Sequence, residues 1–150
     1  MLTDEQREEA VLNPWCVVCG PMNRNGLRIQ FHQHGGVVHA EWQPTEEWES
    51  FQGVIHGGIV STVLDEAMSK AVIARQWEAF TVELSVRFRR HVTPGKTFHI
   101  RGWVLERQRR KIMAEATLTS STGVECARAW GTFLVPPTRS PRLRPRATAP

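Results

Sequence analysis

The sequence predicts an α+β domain in which an antiparallel sheet packs against one long helix. Three observations lead to this fold class. One long stretch has the apolar spacing of a buried helix, several shorter stretches alternate between apolar and polar residues, and short turn sequences separate them. The 150 residues suit a single domain of ordinary size and contain no internal repeat.

The long helix is predicted over residues 57–75. Its apolar residues occupy two positions per turn, and this stripe is broad enough for the helix to be largely buried. A short charged helix is predicted over residues 3–12, where Thr3 and Gln6 form a capping box and Pro14 follows the end of the pattern.

Strand candidates lie on both sides of the long helix. Before it, residues 27–34 and 37–42 alternate on either side of a Gly-Gly turn, which predicts a hairpin. After it come four more strand candidates, over residues 80–89, 97–106, 112–119 and 125–135. Because short turns join these four, we expect them to be antiparallel neighbours in the sheet, with the helix covering one face.

The formal net charge of +4 comes from the C-terminal end of the chain. Residues 136–150 hold four arginines, no acid and five of the nine prolines, a composition typical of disorder. Residues 1–135 hold 15 bases and 15 acids, so the body is neutral. We therefore expect an N-terminal helical segment at 1–13, the folded domain at 14–135, a disordered Arg/Pro-rich tail at 136–150 and no nucleic-acid partner.

The sequence lacks the patterns of two targeting signals. No apolar stretch is long enough to span a membrane, and the first residues lack the basic and then apolar order of a signal peptide. The expectation is a cytoplasmic protein with no membrane partner.

Three cysteines predict no disulfide framework, because the count is odd and the expected compartment is reducing. Cys16 and Cys19 have the spacing of half a zinc knuckle, but a closed site needs two more ligands and no second pair exists. Cys126 and His32 or His34 are the remaining candidates. A structural or incidental role is favoured, so no metal ligand is assigned.

The long helix begins with Gly57 and Gly58. Without a Cβ atom, glycine lets a ligand approach the backbone closely. The first turn of a helix has unpaired N–H groups and a partial positive charge, which suits an oxygen that develops negative charge, as in an oxyanion hole. By itself, however, the pair is explained better by a tight turn without a ligand.

Two acids in the same helix favour a ligand site over a simple tight turn. Asp65 lies at the border of the apolar stripe with no Lys or Arg three or four residues away, whereas Glu66 has Lys70 as a ready surface partner. A partly buried carboxylate without a partner is costly unless it serves a purpose or has a hidden partner elsewhere in the fold. Asp65 is therefore the candidate catalytic residue, and Glu66 is expected on the surface.

The motifs around this helix carry a family resemblance: HGG at 56–58, Asp-Glu at 65–66, TVELSVRF at 81–88 and PG at 94–95. Over about residues 14–135 the chain resembles the hotdog-fold thioesterases of the phenylacetic-acid-pathway (PaaI-like) group, and the leader CVVCGPMNRNGL at 16–27 is similar to that of many members. The resemblance implies a sheet wrapped around the central helix, and a homodimer or homotetramer with active sites at the subunit interface.

The resemblance also implies roles for individual residues. The backbone N–H of Gly57, with Gly58 beside it, polarises the thioester carbonyl. Asp65 of the other subunit activates water as a general base or attacks the carbonyl itself. His56 orients the site or the carbonyl, or it is a loop histidine that caps the structure. Thr81 positions the water, or it is an ordinary β-branched strand residue.

One substrate-binding position departs from the family pattern. Many relatives have Asn six residues before the HGG histidine, where it helps to hold substrate or water. Here Ser50 stands at that position. Gln52, two residues later, carries an amide that would approach the substrate from a different place on the loop. The departure bears on the rate and the substrate more than on the fold.

A cationic stretch provides candidates for binding coenzyme A. Residues 87–111 hold nine bases against one acid, which by charge alone fits a phosphate-bearing ligand or two solvated strand faces equally well. Given the resemblance, Arg89 and Arg90, with the turn at 107–111, are expected to contact the phosphates of coenzyme A.

The sequence thus predicts an acyl-CoA thioesterase that acts on an aryl or a short- or medium-chain acyl group and needs no metal or redox cofactor. One alternative is a non-catalytic hotdog module that binds acyl-CoA as a sensor or scaffold, and Ser50 favours it. Another is an acyl thioester dehydratase, but such enzymes pair a catalytic histidine with a carboxylate, and His56 before Gly-Gly fits the thioesterase pattern better.

Overall fold

The computed structural model describes residues 13–137, so the predicted helix at 3–12 and most of the predicted tail lie outside the described residues. The elements in chain order are β1 (His32–His34), β2 (Val37–Trp42), a short 3₁₀ helix (Glu46–Trp48), α1 (Gly57–Ile73), β3 (Phe80–Phe88), β4 (Phe98–Gln108), β5 (Lys111–Ser120) and β6 (Glu125–Leu134). Six strands and one long helix confirm the predicted α+β class.

Helix α1 begins at the predicted residue and ends slightly early, at Ile73. Its buried residues occupy two positions per turn: Val60, Val63, Leu64, Ala67, Met68, Ala71 and Val72. The broad apolar stripe predicted from the sequence is therefore the face that packs on the sheet. Between residues 13 and 137, no helix has the length and apolar character needed to cross a membrane.

All six strands belong to one antiparallel sheet, in the order β1-β2-β4-β5-β6-β3. β1 and β2 form the predicted hairpin, and β4, β5 and β6 form a meander. β3, however, does not pair with β4, which follows it in the chain. It pairs with β6 at the far edge, so the expectation that the last four strands are all consecutive neighbours is wrong for β3.

The link between β3 and β4 explains this position. The backbone N–H groups of Arg89 and Arg90 both donate to the carbonyl oxygen of Cys126, which keeps the chain beside β6 after β3 has ended. The link then passes the start of α1, where the Ile55 N–H donates to the Val92 carbonyl oxygen at 2.8 Å. Because the link is longer than a hairpin turn and buries Val92, it crosses the helix start instead of turning back.

Strand β1 is shorter than the predicted segment 27–34. The N–H groups of Leu27 and Ile29 donate to the carbonyl oxygens of Val17 and Val18, both at 2.8 Å. The first half of the predicted strand therefore pairs with the leader instead of with β2. Since Val18 and Ile29 are buried, the leader at 16–27 is packed on the rest of the domain.

Helix α1 lies close to the sheet because the strands beneath it carry small residues. Gly102 of β4, Ala116 of β5 and Ala129 of β6 are paired in register across three strands. A Cβ atom at Gly102 would lie 2.5 Å from the carbonyl oxygen of Ala67 on α1, so only glycine fits there. The core is the layer between α1 and this face of the sheet.

We expect Gly102→Val to lower the free energy of unfolding by about 1–3 kcal/mol, because the added side chain forces α1 away from the sheet. Urea denaturation of the purified variant measures this change. Gln108→Val, at the exposed end of the same strand, is the matched control and should change stability by less than about 0.5 kcal/mol. If the urea midpoint of Gly102→Val equals that of wild type, the close contact between α1 and β4 is contradicted.

Candidate active site

The loop before α1 and the first turn of the helix form one part of the candidate site. His56 Nδ1 accepts a hydrogen bond from the Gly58 N–H at 2.8 Å, so this histidine caps the helix. That bond uses the Gly58 donor, whereas the Gly57 N–H has no acceptor among residues 13–137. Gly57 is therefore the donor that remains for a ligand at the positive end of the helix.

Asp65 and Thr81 form the other part of the site. Thr81 Oγ1 donates a hydrogen bond to Asp65 Oδ1 at 2.8 Å. Asp65 therefore has the hidden partner that the sequence left open, and this partner comes from β3 instead of from the helix. The pairing of β3 with β6 shifts between Thr81 and Glu83, and an irregularity of this kind re-aims the side chains beside it.

The surroundings of Asp65 change its basicity. Burial raises the pKa of this carboxyl above its ordinary value, the hydrogen bond from Thr81 lowers it, and the neighbouring Glu66 carboxylate raises it. A raised pKa makes the carboxylate a better base, and the threonine hydroxyl holds it in one orientation.

Gly57 and Asp65 of one chain are well separated along α1. They stand at the start and in the middle of α1, about 12 Å apart along the helix axis. A base and an oxyanion donor each need to come within about 3 Å of the reacting atoms. Within one chain, the backbone donor and the carboxylate are therefore separated by about two turns of helix.

Ser50 and Gln52 lie in the exposed loop that precedes the helix. The Ser50 N–H donates to the Val54 carbonyl oxygen at 2.9 Å, and Gly53 closes this turn with a φ of 78°. Neither the Ser50 nor the Gln52 side chain forms a hydrogen bond within the described part of the chain. The structure therefore does not bring either of them to Asp65.

The cationic stretch is divided between the two ends of the sheet. Arg89 and Arg90 follow β3 at the end where the Phe88 ring lies 3.4 Å from the position of a Cβ atom on Gly57. The turn at 107–111 lies at the opposite end, roughly 26 Å away along the strands. Within one chain, the structure therefore does not bring these two groups of bases together.

The two arginines near the helix start differ in their partners. Arg89 Nε lies 3.2 Å from Glu125 Oε1, and Glu125 also pairs with Arg128. Arg90 Nη1 donates to the Arg89 carbonyl oxygen at 3.1 Å, and no carboxylate of residues 13–137 pairs with it. Arg90 is therefore the more available of the two cations for a phosphate.

Glu66 is not the surface residue that the sequence predicts. The Lys70 Nζ atom lies 3.6 Å from Glu66 Oε1, as expected, but the Glu66 side chain is only 18% exposed. The Sγ atoms of Cys19 and Cys16 lie 3.2 and 3.7 Å from the same oxygen, and burial raises the pKa of Glu66. No local pattern indicates this contact, because the leader and the helix are far apart in sequence.

Comparison with known proteins identifies the family. A family model described as Thioesterase superfamily matches residues 52–127, about half of the chain. The chain belongs to the thioesterase superfamily. The match confirms the predicted family and the predicted enzyme class, a thioester hydrolase.

Solved structures confirm the hotdog fold of this thioesterase superfamily member. A protein described as a thioesterase superfamily protein is 22% identical with a TM-score of 0.78, over 81% of this chain and 60% of that one. This chain thus spans less than two thirds of its length. A Streptococcus mutans protein bound to acetyl CoA is 22% identical with a TM-score of 0.69, over 75% of this chain and 91% of that one.

A third similar structure is PaaI of E. coli, from the phenylacetic acid degradation operon. It is 16% identical with a TM-score of 0.68, over 72% of this chain and 83% of that one, which is compatible with the predicted PaaI-like group. No curated protein matches the chain in sequence.

We expect Asp65→Asn to be at least as stable as wild type at pH 7. The pKa of Asp65 is raised in the folded chain, so ionisation opposes folding at pH values above the unfolded pKa, and this effect disappears as the pH falls below it. Asparagine removes the charge, and its Oδ1 atom still accepts the Thr81 hydrogen bond. Thermal unfolding at pH 7 measures the difference.

Glu125→Gln is the control of opposite sign for this prediction. The Arg128 side chain holds the pKa of Glu125 below its ordinary value, so loss of this carboxylate should lower the stability at pH 7. A large stability loss in Asp65→Asn would show that the Asp65 charge supports the fold, contrary to the prediction.

Proposed function

We propose that this thioesterase superfamily member hydrolyses an acyl-CoA thioester, with an aryl or a short- or medium-chain acyl group, to the free acid and coenzyme A. The observation that carries the proposal is the Thr81–Asp65 hydrogen bond on the helix whose start offers the free Gly57 N–H. A positioned base and a backbone donor at a helix N-terminus are two groups that thioester hydrolysis uses.

In the proposed reaction, the Asp65 carboxylate takes a proton from water while the water oxygen attacks the thioester carbonyl carbon. The carbonyl oxygen gains negative charge and accepts a hydrogen bond from the Gly57 N–H. The carbon–sulfur bond then breaks, and the proton held by Asp65 passes to the departing coenzyme A sulfur. Direct attack by Asp65, followed by hydrolysis of the resulting anhydride, is an alternative use of the same residue.

Two copies of the chain supply these two groups. The distance of about 12 Å between Gly57 and Asp65 along α1 favours a site in which each comes from a different subunit. β3 lies at a sheet edge, and its exposed apolar side chains are Phe80, Val82, Leu84 and Phe88. An exposed apolar edge is unfavourable in a monomer, so we infer a homodimer or homotetramer that covers it.

Arg90, with Arg89, is proposed to bind the phosphates of coenzyme A. Both follow β3 at the end of the sheet where Phe88 and Gly57 meet, and the Arg90 guanidinium is free of carboxylate partners within residues 13–137. The planar guanidinium group suits phosphate recognition. Proteins of the same fold from Streptococcus mutans and Streptococcus pneumoniae have been crystallised with acetyl CoA and coenzyme A.

A non-catalytic acyl-CoA sensor or scaffold is the second candidate function. One observation favours it: Ser50 and Gln52 are exposed, and their side chains form no hydrogen bond with any residue between 13 and 137. The amide that many relatives place near the substrate is therefore not held in the site. Such a protein would bind acyl-CoA without releasing free thiol.

Asp65→Asn separates the two functions. We expect wild-type protein to release free thiol from some members of a panel of aryl- and fatty-acyl-CoA thioesters, and the variant to lose turnover by at least about 100-fold. Glu66→Gln, at the adjacent position, is the control and should keep most of the activity. Wild-type turnover in Asp65→Asn would overturn its role, and saturable acyl-CoA binding without thiol release would support the sensor.

A matched pair of substitutions tests the Gly57 donor. Gly57→Pro removes the N–H at a helix position that tolerates proline, and we expect turnover to fall by about 100- to 1,000-fold. Gly57→Ala keeps the N–H, and its Cβ atom meets the Phe88 ring at an acceptable 3.4 Å. It should therefore stay within about 10-fold of wild type. Equal losses in the two variants would indicate a steric effect in place of a lost donor.

Co-expression of the two inactive variants tests whether the site is shared. In a dimer of one Asp65→Asn subunit and one Gly57→Pro subunit, one of the two sites contains both intact groups. Random pairing should therefore restore about a quarter of the wild-type activity. If both groups act within one chain, no activity returns.

A further inference from the structure

The leader and helix α1 together hold a cluster of two thiols and a carboxylate. The Sγ atoms of Cys16 and Cys19 and one carboxylate oxygen of Glu66 all lie within 4.8 Å of one another. The Sγ–Oε1 distances to Glu66 are 3.7 Å from Cys16 and 3.2 Å from Cys19. Cys126, the third cysteine, lies on β6, and its thiol faces the Val124 carbonyl oxygen instead.

Backbone hydrogen bonds hold the turn that carries the two cysteines. The Cys16 N–H donates to the Asn13 carbonyl oxygen at 3.0 Å, and the Gly20 N–H donates to the Cys16 carbonyl oxygen at 2.9 Å. A Cβ atom at Gly20 would lie 2.4 Å from the Cys16 nitrogen, so the turn requires glycine there. The Val18 N–H points at the Cys16 Sγ atom at 3.4 Å, a contact that favours negative charge on this sulfur.

We propose that Cys16, Cys19 and Glu66 bind a divalent metal ion of the Zn²⁺ class, with water as the fourth ligand. Zn–S and Zn–O bonds of about 2.3 and 2.0 Å in a tetrahedral site place sulfur and oxygen about 3.5 Å apart. The two observed distances, 3.2 and 3.7 Å, lie on either side of this value. The ion replaces the two thiol protons, which are released to water.

The charges around the cluster suit such an ion. Two thiolates and one carboxylate carry three negative charges, and Lys70 contributes one positive charge 3.6 Å from Glu66 Oε1. A divalent cation therefore brings the partly buried cluster to neutrality, whereas a monovalent cation leaves it negative. A buried cluster without net charge costs less free energy than a buried cluster that carries one.

The ion would fasten the leader to the helix. Val17 and Val18 lie between the two cysteines and pair with the segment at 27–29, while Glu66 belongs to α1. A metal bond between the two elements closes a long loop, so binding should raise the unfolding temperature. This inference does not depend on the proposed function, since neither Gly57 nor Asp65 is a ligand.

Metal titration of the full chain tests the proposal. The protein is stripped with a chelator under reducing conditions and titrated with Zn²⁺ by calorimetry and with Co²⁺ by absorption, because tetrahedral Co²⁺–thiolate sites have characteristic bands. We expect one ion per chain and a higher unfolding temperature. Cys19→Ser should abolish the thiolate bands, Glu66→Gln should weaken binding by at least about 10-fold, and Cys126→Ser should bind as wild type does.

The metal site is wrong if the fully reduced wild-type chain takes up no Zn²⁺. It is also wrong if wild type, Glu66→Gln and Cys19→Ser bind Zn²⁺ with equal affinity. A reversible Cys16–Cys19 disulfide in a chain whose reduced form binds no Zn²⁺ would make the cluster a redox pair instead. If Cys19→Ser does not fold, Glu66→Gln and the wild-type titration still decide, because glutamine keeps the size of the side chain and removes only its charge.

Discussion

The close packing of α1 on the sheet is the contact on which the rest of the structure depends. The helix approaches so closely because Gly102 and Gly131, with the alanines paired to them on β5, keep large side chains out of its way. This packing holds one long, rigid helix against the strands. The helix start, Asp65 and Glu66 are therefore presented at defined positions by the same element, and a shift of α1 would move all three together.

The same packing explains the unusual surroundings of the two successive acids. Asp65 and Glu66 lie about 100° apart around the helix, so each faces a different neighbour. Asp65 meets the Thr81 hydroxyl on β3, and Glu66 meets the leader cysteines and Lys70. A surface helix carries its acids into water, whereas here burial on both sides raises their pKa values and makes each a candidate for chemistry.

The position of β3 connects the fold to the proposed site. Because the link after β3 stays beside β6 and then crosses the helix start, β3 becomes an edge strand with Thr81 beside Asp65 and Phe88 beside Gly57. The strand thus passes along the helix from Asp65, the proposed base, to Gly57, the proposed oxyanion donor. Its unpaired edge is also the surface through which we infer that a second copy completes the site.

The sequence by itself determined the fold class, the helix, its start at Gly57 and the bounds of most strands, because periodicity, caps and turns act over a few residues. It also indicated Asp65, through the spacing of charges along the helix. Only the tertiary structure decided that Thr81 is the partner of Asp65, that β3 pairs with β6 and that Glu66 faces Cys16 and Cys19. These contacts join segments distant in the chain, and the choice among them depends on strand order and helix packing, which no local pattern records.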